Sequence, residues 1–193
     1  MRISPKYTAF DWKELNFLSE DEWLKAIDIF HDRINERFLY PISLIEETDY
    51  SGFAVLALDC LLIEMLQQFY RGVYRTPAGK SKEYFVSFLT ETRFGEFYDN
   101  RQAELFYRQI RCGILHQAEI RGSSRVLADP DTLLVRYSDD NRGLIVNRRK
   151  FHQLLMQEIS EYTERLKDPA NKELRSNFRK KMVSICRTAC EII

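Results

Sequence analysis

Apolar side chains recur every three or four positions along most of the chain, the spacing that places them on one face of an α-helix. Ser19 precedes Glu20, Asp21 and Glu22, and a hydroxyl cap followed by acidic residues is typical of a helix start. The pattern predicts six helices. Their expected ranges are residues 20–40, 51–71, 81–92, 100–118, 149–166 and 172 to the C-terminus.

The apolar period changes between residues 133 and 146. Two short apolar runs, 133–137 and 144–146, flank the polar, glycine-containing segment 138–143, which indicates a β-hairpin. The 193 residues contain no internal repeat and no long linker, so we expect one domain covering residues 1–193. The predicted fold class is mainly α: a helical bundle with one small β-hairpin inserted before the last two helices.

Charge is distributed unevenly although the net charge is zero. Residues 1–100 carry a net charge of −6 and residues 101–193 a net charge of +6. Such a dipole steers a polyanion toward the second half or pairs two copies head to tail; a mosaic of solvated charges is the alternative. Residues 1–13 lack the apolar core of a signal peptide. The apolar run 53–66 is short and contains Asp59 and Glu64, which argues against a membrane span.

The cysteines indicate the cellular compartment. Cys60, Cys112, Cys186 and Cys190 are scattered in a way that does not suggest a disulfide framework, and a reducing environment suits them. Together with the missing signal peptide, this predicts a cytoplasmic protein. We see no cluster of metal-ligand type and expect neither a metal nor another cofactor.

The candidate chemistry lies in residues 107–117, YRQIRCGILHQ, near the end of a predicted helix. Arg111 offers a planar fork of donors to phosphate oxygens, and His116, five positions later, can exchange protons near neutral pH. Such a pair can bind and break a phosphodiester. The alternative is structural: Arg111 pairs with Glu64 or Glu119, and His116 is a helix-end histidine favoured by the helix dipole.

Three residues are candidates for supporting this pair. Tyr107 lies one turn before Arg111 and can stack on a base or belong to the core, and Cys112 lies one turn before His116. Glu64, within an apolar helix, needs a partner and can brace Arg111 or His116. Outside the pair, the candidate RNA-contacting residues are Arg108, Arg175 and Arg179, with a solvated helix face as the alternative explanation.

These features resemble the HEPN superfamily, helical-bundle proteins marked by an Arg, four to six residues and a His. Arg111 and His116 match with four residues between them. The likeness spans roughly residues 20–118 and includes the apolar helix that holds Asp59 and Glu64. It implies a homodimer in which the motifs of two chains meet and cut RNA without a metal, leaving a cyclic phosphate.

One position departs from the HEPN pattern. Active members usually carry Asn, Asp or His directly after the Arg, where this chain has Cys112, and a thiol is a weak hydrogen-bond donor. The alternative function is therefore a catalytically silent HEPN-fold module that dimerises and binds RNA, a nucleotide or a protein partner. An antitoxin in a defence or toxin–antitoxin pair would be such a partner. A purely structural helical protein is the third possibility.

Overall fold

The computed structural model describes residues 2–190, and the side chains of residues 188–190, Cys190 among them, lie outside the description. The chain is mainly α, as predicted. The α-helices are α1 (Ala9–Lys13), α2 (Glu20–Ile34), α3 (Tyr40–Ile45), α4 (Gly52–Arg71), α5 (Ser81–Glu91), α6 (Asn100–Leu105), α7 (Cys112–Gln117), α8 (Arg148–Lys167) and α9 (Lys172–Cys190). Two π-helical turns, Asn35–Leu39 and Phe106–Arg111, and a 3-10 turn, Arg93–Glu96, complete the helical structure.

Helix α2 begins where the sequence predicted. The Ser19 hydroxyl accepts a hydrogen bond from the Glu22 N–H, and the Glu22 carboxylate accepts one from the Ser19 N–H. This reciprocal arrangement satisfies two backbone donors that the first turn leaves without partners. Asp99 and Gln102 form the same arrangement at the start of α6, the helix that leads into the candidate site.

The described residues form two compact units. The first comprises residues 2–44, 68–75 and 159–190, and the second comprises residues 45–67 and 76–158. The core of the first unit is aromatic. The Phe30 ring lies edge-on to Phe69 and Phe178, with centroid distances of 4.9 and 5.6 Å, and Tyr162 completes the fully buried group. Edge-to-face ring contacts of this kind add specificity to the area that they bury.

The second unit has its own aromatic core. Phe106 stacks on Phe151 at 4.9 Å between centroids, and Phe94 and Phe85 contact the same pair. Phe106 opens the π-turn, so this core anchors the segment that carries Arg111. Phe97, which follows the 3-10 turn, is 44% exposed and does not belong to this core.

The predicted hairpin is confirmed and extended. Strands β2 (Val135–Tyr137) and β3 (Leu144–Asn147) pair antiparallel, with Arg136 opposite Ile145. Strand β1 (Arg125–Leu127) adds a parallel edge to β3, giving the order β1-β3-β2. The sequence missed β1 because three residues with two exposed side chains leave no alternating pattern to detect.

Helix α4 is long and strongly apolar. Within residues 2–190 it is the one helix long and apolar enough to cross a membrane, with a mean hydropathy of 1.5, and half of that stretch is buried. A core helix passes the same test, so this finding is weak evidence for a membrane span. Asp59 is completely buried on this helix, and Glu64 is partly exposed.

Candidate functional site

A π-turn precedes the candidate site. Between α6 and α7 the helix takes one wide turn, Phe106–Arg111, closed by the Cys112 N–H donating to the Tyr107 carbonyl. The Gln109 carbonyl in this turn accepts a hydrogen bond from the Arg121 N–H, at 2.9 Å, outside the helix. Single π-turns inside α-helices are rare and often occur at functional sites. This one ends at Arg111.

The Arg111 guanidinium contacts all four of the other residues that the sequence assigned to the site. Its Nη2 donates to Glu64 Oε2 at 2.7 Å. Its Nη1 lies 3.4 Å from His116 Nε2 and 4.0 Å from Cys112 Sγ. The Tyr107 ring covers one face, 5.3 Å from Cζ. Of the two ion-pair partners expected for Arg111, Glu64 and Glu119, the structure shows Glu64.

Arg111 is nearly buried but remains a cation. The residue is 9% exposed, and its Nε is buried without a hydrogen-bond partner. Burial lowers the pKa of Arg111, but the hydrogen bond and the negative charge of Glu64 outweigh it, so the pKa is raised overall. Glu64 therefore both compensates the buried charge and fixes the direction in which the guanidinium faces.

His116 is the exposed member of the pair. Because an Arg nitrogen can only donate, a hydrogen bond at this contact would use the Nε2 lone pair. A ring nitrogen with a lone pair is also the group that accepts a proton from a hydroxyl in general base catalysis. Although the ideal helix puts the two residues on different sides, the length of the Arg111 side chain closes the gap.

The segment after His116 returns tightly against the helix. Ala118 ends α7 in the left-handed conformation, with φ of 54°, and the chain then turns back so that the Glu119 carbonyl lies against Gly113. A Cβ on Gly113 would overlap this oxygen. Gly113 thus allows the close approach of two backbone segments, as expected of a glycine at this point of the motif.

A buried polar link that the sequence missed connects the π-turn to the sheet. The Ser124 hydroxyl donates to Gln109 Oε1 at 2.7 Å and accepts from the Leu144 N–H at 2.9 Å, while Gln109 Nε2 donates to the Arg142 carbonyl. Every polar group in this link is satisfied, so it orients the π-turn on β3. No sequence signal distinguishes Gln109 and Ser124 from ordinary surface residues.

His152 has a buried partner in Asp59. Its Nδ1 lies 2.7 Å from Asp59 Oδ1, and both residues are buried. Burial raises the pKa of Asp59, an effect that the hydrogen bond to His152 opposes in part. Burial lowers the pKa of His152, but the hydrogen bond and charge of Asp59 outweigh it and the pKa is raised overall. Asp59 Oδ2 has no hydrogen-bond partner.

The three arginines predicted to contact RNA have different environments. Arg108 is exposed on the π-turn, next to Tyr107. Arg175 belongs to the first unit and is a correction: it is 6% exposed, bonds both carboxylate oxygens of Glu20 at 3.0 and 2.6 Å, and donates to the Leu166 and Lys167 carbonyls. Its donors are used within the protein.

Arg179, also in the first unit, is exposed, and its guanidinium lies 4.2 Å above the Phe17 ring.

Among residues 2–190, no three His, Cys, Asp or Glu side chains are grouped so that they could hold a metal ion. Comparison of the chain with models of known families, with curated proteins and with solved structures finds no match in any of the three.

Proposed function

We propose that this chain is an RNA-directed protein of the HEPN type, with Arg111 and His116 forming a metal-independent endoribonuclease site. One observation carries the proposal: the guanidinium is oriented by Glu64 so that Nη1 lies 3.4 Å from Nε2 of the exposed His116. A cation and a proton acceptor at this separation can engage one phosphodiester and its neighbouring ribose hydroxyl together.

In the proposed reaction, Arg111 Nη1 turns from His116 Nε2 to a phosphate oxygen, and the Nε2 lone pair that it releases takes the proton of a ribose 2′-hydroxyl as that oxygen attacks the adjacent phosphorus. The bond from phosphorus to the 5′-oxygen breaks, and a second imidazole in its protonated form gives a proton to the leaving oxygen. The products are a 2′,3′-cyclic phosphate and a 5′-hydroxyl. Arg111 stabilises the charge that develops on the phosphate oxygens.

A second copy of the chain would supply the second imidazole. Each chain carries one histidine in the motif, and the reaction uses a base and an acid at the same time. Helix α4, which bears Glu64, leaves Phe53 and Leu61 exposed, and exposed apolar residues on a helix that contributes to the site suit a self-complementary contact. Light scattering should give twice the 23.0 kDa chain mass. A monomer at micromolar concentration would contradict the shared site.

The decisive experiment measures cleavage of single-stranded RNA with a chelator present. The wild type should cut and should leave cyclic-phosphate ends. His116→Ala should lower the rate by a factor of about 10² to 10⁴, the usual contribution of a general base or acid. His31→Ala, which removes an exposed histidine from the first unit, is the matched control and should cut at the wild-type rate.

Two further variants test the roles of the neighbouring residues. Arg111→Ala should slow cleavage by a factor of about 10² to 10³, the cost of losing one charge-stabilising donor. Cys112→Asn, which introduces the residue type usual in active HEPN members, should raise the rate or leave it unchanged. An inert wild type, or a folded His116→Ala protein as active as the wild type, would refute the catalytic role.

The second candidate function is the catalytically silent module that dimerises and binds RNA, a nucleotide or an antitoxin-type protein. The observation that favours it is the burial of Arg111: the residue is 9% exposed and its charge is neutralised by Glu64, which leaves few donors for phosphate. Cys112, as a weak donor, adds little to that surface. RNA binding without cleavage by the wild type would support this function over the first.

A further inference from the structure

A positively charged groove runs along one face of α9 in the first unit. Its volume is about 670 Å³, and Trp23 and Val183 are among the residues of its wall. Five of the nine lining residues are basic and none is acidic. Four of these basic residues are exposed: Lys172, Arg179, Lys180 and Arg187.

The fifth basic residue, Arg175, differs from the other four because it is buried. Its guanidinium lies 4.5 Å from the centroid of the Trp23 ring and is held by Glu20, so its charge is compensated within the protein. The four exposed residues differ. Within the part of the chain that the structure describes, no carboxylate forms an ion pair with any of them. Four cations side by side repel one another unless an anion neutralises them.

The charges form a row. Lys172 and Arg187 are 15 positions apart on one helix face, which corresponds to about 22 Å along the axis. A single phosphate would neutralise only one end of such a row, whereas a strand with a charge on every residue can follow all of it. Arg179 is held near the middle by its contact with the Phe17 ring, 4.2 Å from Cζ.

We propose that this groove binds the phosphodiester backbone of single-stranded nucleic acid. The groove wall along α9 is helical, so its backbone groups are already paired and offer nothing to a bound peptide main chain. The main feature that the groove offers a partner is therefore its positive charge. A phosphodiester strand can bind through charge alone, without sequence preference. The inference rests on the proposed function in one respect, since RNA is the substrate proposed above, but binding is measurable without cleavage.

The test uses the full chain carrying His116→Ala, so that RNA stays intact, and fluorescence anisotropy with labelled oligouridine and oligothymidine. The groove variant adds Lys180→Ala and Arg187→Ala. The control variant adds Lys25→Ala and Arg37→Ala, which remove one lysine and one arginine exposed elsewhere in the same unit. Circular dichroism should show the same helical signal for all three proteins.

We expect the groove variant to bind at least about tenfold more weakly at low salt, and the control variant to stay within about twofold of its parent. The slope of log affinity against log salt should shrink by about 1.4 in the groove variant, because each lost contact to a single strand contributes about 0.7. Binding of both oligonucleotides marks backbone recognition, and binding of RNA alone marks recognition of the ribose.

Equal binding by the groove and control variants would overturn the inference. So would binding of an oligoglutamate peptide that is tighter than that of either oligonucleotide and is lost in the groove variant, because this would identify an acidic protein segment as the occupant. Failure of the ribonuclease proposal is separate. If the unmodified protein never cuts RNA but the groove variant loses binding, the groove stands and the catalytic proposal falls.

Discussion

Replacing Glu64 by Gln tests whether the Arg111 guanidinium depends on a charged partner. The amide keeps the shape of the side chain and an oxygen that can still accept from Nη2, so the variant removes the charge and little else. Arg111 is then left as a nearly buried cation whose Nε is already without a partner. We therefore expect both lower stability and a less fixed guanidinium.

The size of the effect follows from the burial of the pair. Two unit charges about 4 Å apart interact by about 4 kcal/mol at an effective dielectric constant of 20 and by about 1 kcal/mol in water. The side chains of Arg111 and Glu64 are 11% and 26% exposed. We therefore expect their interaction energy to lie between these two values. The free energy of unfolding should fall by about 2 kcal/mol, and Tm should fall by about 4 to 8 °C for a chain of this size.

A matched control lies in the same unit. Lys82 and Glu104 form an ion pair at 2.8 Å, but their side chains are 52% and 56% exposed. Exposed pairs contribute little, so Glu104→Gln should lower the unfolding free energy by no more than about 0.5 kcal/mol. Thermal denaturation followed by circular dichroism compares the two variants directly. Equal losses in Glu64→Gln and Glu104→Gln would refute the argument from burial.

Two further predictions concern the surroundings of the site. Gly113→Ala should lower the unfolding free energy by about 1 to 3 kcal/mol, because the new methyl group overlaps the Glu119 carbonyl; in an unobstructed helix the same change would stabilise by about 1 kcal/mol, and chemical denaturation decides the sign. His152→Gln should weaken the pH dependence of stability. The raised pKa of folded His152 stabilises the protein below its ordinary value of 6.5, and this contribution is lost as pH rises through the folded value. Thermal unfolding at about pH 6 and about pH 8 measures it, and an unchanged difference between the two pH values in His152→Gln would contradict the assignment.

The sequence predicted the helices and the hairpin well because both depend on local patterns. Helix α4 was expected over residues 51–71 and spans Gly52–Arg71, and α9 begins at Lys172 as predicted. An apolar period and a capping residue are properties of neighbouring positions, which a single sequence displays directly. Strand β1 had no such pattern, because its place in the sheet comes from pairing with β3.

Long-range partners were predictable only where the chemistry demanded one. Glu64 in an apolar helix required a cation, and Arg111 was among the named partners. Asp59, on the same helix, required a partner equally, but its partner, His152, lies 93 positions away and carries no signal of its own. Arg175 was predicted to contact RNA because its spacing from Arg179 indicates a shared helix face. The spacing cannot show that Arg175 is held by Glu20, which is distant in the sequence.

Because of the π-turn, the helix that carries the site contains one residue more than a regular α-helix of the same length. The helical repeat of the sequence is therefore shifted by one residue between its two halves, α6 and α7. Deleting one residue within Phe106–Arg111 would let the segment continue as a uniform α-helix, and His116 would keep its place around the axis because the wide turn already absorbs the extra residue. Any alignment of this helix with an uninterrupted one must accordingly place a one-residue gap inside that turn, or it will match only one of the two halves.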